Sequence, residues 1–134
     1  MKPLLAPLVA AIAAASVLAV APAQAAPRLS PEARLAKAIE GRVAGEPVDC
    51  INLRSIRSSR IIDETAILYE VGSTLYVNRP RAGQESLDRW DTMVTKTFGS
   101  QLCSIDTIRM VDPASRMLTG IVFLGDFVPY RKAR

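Results

Sequence analysis

The stretch Ala66-Ile67-Leu68-Tyr69-Glu70-Val71-Gly72-Ser73-Thr74-Leu75-Tyr76-Val77-Asn78-Arg79 decides the fold. β-Branched and aromatic residues fill both arms, and such side chains fit a pleated, half-buried surface. Gly72-Ser73 between them is a two-residue turn signal, so residues 66–71 and 74–79 read as a hairpin. A tight turn sets the register: Val71 faces Thr74, Tyr69 faces Tyr76 and Leu68 faces Val77. One face then carries Leu68, Leu75 and Val77, which are assigned to the core. The other carries the Tyr69–Tyr76 pair, a cross-strand contact of about 0.2–1 kcal/mol.

Upstream, Ser30-Pro31-Glu32 reads as a helix start. Serine caps, proline suits the first helical position, and the carboxylate faces the positive end of the dipole. Leu35, Ala38, Ile39 and Val43 recur at helical spacing, opposite Glu32, Arg34, Lys37 and Glu40. The spacing predicts an amphipathic helix of roughly ten to thirteen residues, ended by Gly41 or Gly45 and laid on a sheet. Cys50–Leu53 is short and apolar, and Arg54–Arg60 is polar and irregular. Downstream, Pro80–Asp91 is the longest loop, with Trp90 near its end. Met93–Phe98 and Asp106–Val111 read as strands, followed by a turn at Asp112-Pro113-Ala114-Ser115. Ile121–Leu124 and Phe127–Tyr130 follow. Gly125 between them signals a bulge or bend, and Pro129 places the last segment at an edge or beyond the sheet.

These elements predict an α+β, mainly β domain. Its sheet is small, antiparallel and five- to six-stranded, or a partly open barrel, with one N-terminal amphipathic helix. The chain divides into a signal peptide (1–25), a lead-in and helix (26–46) and the β-rich domain (47–134).

The signal is read from Met1-Lys2-Pro3, the apolar run Leu4–Val20 and Ala23-Gln24-Ala25, whose small residues suit cleavage after Ala25. Cleavage leaves 109 of the 134 residues, outside the cytoplasm. The run is short and Ala-rich against the about 20 strongly apolar residues of a membrane span, so no stable span is expected after cleavage. Loss of Lys2 leaves 16 Lys and Arg, 13 of them Arg, against 13 Asp and Glu. That mild basic excess suits weak attraction to anionic surfaces and argues against nucleic acid.

The chain has no histidine. Ser–His and Cys–His nucleophilic pairs and His-ligated zinc are therefore excluded. Two cysteines, Cys50 and Cys103, read as a disulfide in an oxidising compartment. No Cys-x-x-Cys is present to suggest redox chemistry.

Arg54, Arg57 and Arg60 are spaced by three. On a turn of helix they would share a face and could hold a phosphate, sulfate or acidic glycan, with Arg79 and Arg81 nearby. In a solvated loop they would pair with Asp49, Asp63 or Glu64. Asp63-Glu64, Asp88, Asp91 and Asp126 are the carboxylates from which a glycosidase pair or a weak calcium loop would have to come, and no spacing among them shows convergence. Tyr69, Tyr76 and Trp90 would form either an exposed aromatic patch or a second small core under the helix.

Several stretches, in their order, resemble a further pattern: Asp49–Leu53, Ile61–Tyr69, Tyr76–Arg79, Ser100–Ser104 and Leu124–Tyr130. Together they resemble a domain-of-unknown-function family of small exported proteobacterial proteins, over residues 47–131. The resemblance implies export and no particular activity. It also implies four cysteines, one in a Gly-Cys-Pro-Gly-Leu-like loop and one just before a Leu-Gly-Asp-Phe-like stretch. Here the loop reads Gly83-Gln84-Glu85-Ser86-Leu87, and Val122 stands near the second position. Both extra cysteines are absent together, which implies one bridge lost whole and Cys50 left with Cys103.

The expectation is a non-enzymatic periplasmic or secreted accessory protein. It would need no metal or other cofactor and would engage an envelope protein or an anionic envelope component. Its binding residues would be Arg54, Arg57, Arg60, Tyr69 and Tyr76. The alternatives are a small-ligand or anion-binding domain using the Arg54–Arg60 loop, and a carboxylate-based enzyme.

Overall fold

Residues 21–30 run exposed, without helix or strand, into α1, Pro31–Ala38. The computed structural model describes residues 21–134. The apolar run read as an export signal lies outside the described residues. Ser30 caps the helix, its hydroxyl accepting from the Ala33 N–H at 3.2 Å. The helix is shorter than its apolar spacing predicted. Gly41 adopts a left-handed φ of 71°, and Arg42–Ala44 then leave as strand β1. Val43 therefore lies exposed on a strand and not on the helical stripe. Its backbone pairs with Arg131 near the far end of the chain, and that ladder replaces a further helical turn.

Nine more strands follow among the described residues: β2 Cys50–Asn52, β3 Ile56–Ile62, β4 Ala66–Val71, β5 Thr74–Asn78, β6 Thr92–Thr95, β7 Gln101–Cys103, β8 Thr107–Val111, β9 Leu118–Phe123 and β10 Phe127–Lys132. They form a five-stranded sheet ordered β1-β10-β5-β4-β3, a three-stranded sheet β6-β8-β9 and the pair β2-β7. Every pairing is antiparallel, and no barrel closes. Among the described residues the fold is mainly β with one α-helix, as the sequence predicts.

The β4–β5 hairpin has the predicted register, with Val71 opposite Thr74, Tyr69 opposite Tyr76 and Leu68 opposite Val77. Gly72 turns it with φ 57°. Both faces of β4 are buried, however, not one. Leu68, Leu75 and Val77 pack with Ile62, Ala66 and Leu35 of α1. On the opposite face Ile67, Tyr69 and Phe127 pack against Leu102, Ile108, Met110 and Val122 from the two smaller sheets. The five-stranded sheet is thus the middle of three layers. Each buried aliphatic side chain in these clusters contributes about 1.5–3 kcal/mol.

The β2–β7 pair places Cys50 directly opposite Cys103, and the two form a disulfide. Gly125 makes the predicted bend between β9 and β10. A Cβ there would collide with the Arg79 carbonyl. Fully buried Asn78 locks this bend: its Nδ2 donates to the Gly125 carbonyl at 2.6 Å, and its Oδ1 accepts from the Gly125 N–H at 3.0 Å.

Pro129 lies inside β10, one strand in from the edge, and not at an edge. Its carbonyl accepts from the Gly45 N–H at 2.7 Å, just past the end of β1. In an extended strand a residue's N–H and C=O point the same way, so the missing proline donor falls where β1 has ended.

Candidate functional site

The Arg54–Arg60 segment is mostly strand, not one helical turn or a loop. Leu53–Ser55 make one 3-10 turn, and Ile56–Ile62 form β3 at the edge of the five-stranded sheet. Arg57 sits in a bulge between the paired residues Ile56 and Ser58. Arg60 stands opposite Leu68 and so projects on the helix side of the sheet. The three arginines are all exposed and sit in a 3-10 turn, a bulge and a paired strand position, not on one turn of helix.

The outer edge of β3 is open. β3 pairs only with β4; the Ile56 N–H donates to the Leu53 carbonyl, and among the described residues no other backbone hydrogen bond reaches Arg57–Ile61. Unpaired N–H and C=O groups along such an edge are a template for another strand. A bulge and a charged side chain are common edge guards, and here both occur at Arg57. The regular stretch is thereby confined to Ser58–Ile62, roughly 16 Å of backbone.

Two hollows flank this stretch, and Arg60 and Ile61 border both. The one on the helix side, about 550 Å³, is walled by Leu29, Arg34, Lys37 and Ala38. The other, about 530 Å³, is walled by Arg89, Asp91, Thr92 and Met93. Its far wall is the start of β6, itself an edge strand that pairs only with β8.

Asp63 ties these walls to the sheet. Its carboxylate holds the Arg34 guanidinium at 2.9 Å and Arg89 Nε at 3.5 Å, and accepts from the Arg89 N–H at 2.9 Å. Asp63 is therefore a structural clamp. Lys37 and Arg60 make no ion pair among the described residues. Asp88 and Asp91 also have local tasks. Asp88 accepts from the Trp90 N–H at 2.8 Å, and Asp91 accepts from the Thr119 hydroxyl. Asp126 lies exposed. Among the described residues no group of three metal-ligating side chains occurs.

The aromatic residues divide. Tyr69 is 4 % exposed, in the core cluster on the side opposite α1, where no ligand reaches it. Its hydroxyl is buried without a hydrogen-bond partner, and burial pushes its pKa above the usual tyrosine range. Tyr76 is half-buried against the same cluster. Trp90 is 75 % exposed, with the Arg89 guanidinium 5.4 Å from its ring centroid. A second small core thus exists, but on the far side of the sheet from the helix and without Trp90.

Sequence reading missed Arg34, Lys37 and Arg89 as groove residues. The one signal for the first two was their place on the polar face of the helix; Arg89 carried none. It also missed the outward face of the β6-β8-β9 sheet, where exposed Val94, Ile121 and Phe123 surround Arg109. Comparisons with models of protein families, with curated proteins and with solved structures found no match.

Proposed function

We propose that this chain is an exported accessory protein of the periplasm or secreted space that binds an envelope protein by accepting a strand on the β3 edge. The observation that carries this reading is the open backbone of Ser58–Ile61 between two hollows. Strand addition to a sheet edge supplies main-chain hydrogen bonds, and flanking pockets supply selectivity. The disulfide and the signal-like residues 1–25 support the location, since such bonds persist in oxidising compartments. Among the described residues no helix is long and apolar enough to cross a membrane. We likewise propose membership of the exported domain-of-unknown-function family. The Gly83–Leu87 loop lies against β9 so closely that a Cβ on Gly83 would strike Ile121. That closeness of the loop to the Val122 segment supports the loss of one whole bridge.

The test is capture from envelope extract followed by amide hydrogen exchange on the purified complex. The reading expects new protection on Ser58–Ile62. Protection confined to the Val94, Ile121 and Phe123 face would overturn it. Export is checked by the intact mass of the protein recovered from a bacterial periplasm, which should begin at Ala26.

A further inference from the structure

We propose that the β3 groove selects an extended acidic peptide whose carboxylates occupy alternate positions. This rests on the strand-acceptor reading above and adds the chemistry of the occupant. β3 sends Ser58, Arg60 and Ile62 toward α1, and Ser59 and Ile61 toward the other layer, as their partners Leu68 and Ile67 show. A strand paired to this edge alternates in the same way. Beside Arg60 and Ile62 its helix-side residues enter a hollow that carries Arg34, Lys37 and Arg60 and is lined by no carboxylate, while at the Ser58 end Glu70 accepts from the Ser58 hydroxyl. Of the three cations Asp63 engages only Arg34, so Lys37 and Arg60 are left for an anionic guest. Its other residues meet Ile61 and Met93, where Arg89 is already balanced by Asp63 and Asp91 lies close by. Charge complementarity therefore places acids on one side of the guest strand and small apolar residues on the other. A lipid headgroup or glycan would meet the cations but leave the β3 amides and carbonyls without partners. The open backbone favours a peptide.

The experiment is fluorescence anisotropy with labelled peptides of about six residues, on the exported chain with its disulfide intact. One peptide alternates glutamate and valine. The second holds the same residues in two blocks, the third replaces glutamate with lysine, and the fourth replaces it with threonine. The alternating acidic peptide should bind roughly tenfold or more tighter than the other three, and less tightly at high salt. Lys37 and Arg60 are exposed, so Lys37→Glu/Arg60→Glu leaves the fold intact. It should reverse the preference toward the lysine peptide. Equal binding of the threonine and glutamate peptides overturns the acidic selectivity while the strand-acceptor reading stands. If no peptide binds and no β3 amide gains protection, both fall. Capture by phosphatidylglycerol vesicles that the double variant abolishes, with no peptide bound, assigns the cations to a membrane and overturns the proposal.

Discussion

Two buried polar side chains show how differently a single residue can contribute. Asn78 has both ends of its side-chain amide engaged by Gly125, whereas the Tyr69 hydroxyl has no partner. Asn78→Ala strands the Gly125 N–H and C=O in the interior, so a loss of about 2–4 kcal/mol is expected in urea unfolding. Tyr69→Phe removes a desolvated hydroxyl that gains nothing, and should be neutral or stabilising by up to about 1 kcal/mol. A loss above that value would mean that the hydroxyl has a partner. Neither role was legible in the sequence. Asn78 read as the tail of a strand, and its partner lies 47 positions away. Tyr69 was correctly paired with Tyr76, but nothing in the hairpin itself says that a second sheet covers that face.

At the scale of elements, β3 is the instructive case. Arg57-Ser58-Ser59-Arg60 lacks apolar alternation because an edge strand need bury little, and here all four residues are exposed. Periodicity detects burial, and β3 is held by pairing. The helix was legible from its cap and stripe, but its length was not, since Val43 is claimed by a strand partner from the end of the chain. Asp63 fastens α1 and the Arg89 segment to the sheet. Asp63→Ala should cost about 1 kcal/mol and speed proteolysis near residues 28–41, because two partly exposed ion pairs and one backbone hydrogen bond are lost together. Glu32 adds a pH dependence. The hydrogen bonds from Arg79 hold its carboxyl below its ordinary value. A lowered folded-state pKa contributes stability that is present above the unfolded value and lost as pH falls through the folded one. Protection of α1 from proteolysis should therefore weaken below about pH 4 and hold above it.

At the scale of the molecule, one helix and two small sheets among the described residues sandwich a five-stranded sheet, and the disulfide secures the smaller of those two sheets. β2 and β7 are three residues each and pair only with one another, so the covalent link reinforces a short ladder. Cys50 and Cys103 lie 53 positions apart, and reduction is expected to lower the unfolding free energy by about 4 kcal/mol in the chain-entropy model. The class of the fold and this bridge were legible, because composition, hairpin chemistry and cysteine count are local signals. The groove was not. It arises where the edges of two separate sheets face each other, and its cations come from α1, β3 and the loop before β6. The most direct test of the account is a titration of the isotope-labelled domain with the alternating glutamate–valine peptide, followed by amide chemical shifts. The account predicts shifts along Ser58–Ile62, at Lys37 and at Thr92 and Met93, with slowed exchange at every second β3 amide. Shifts confined to Val94, Arg109, Ile121 and Phe123, with the β3 amides unchanged, would contradict it.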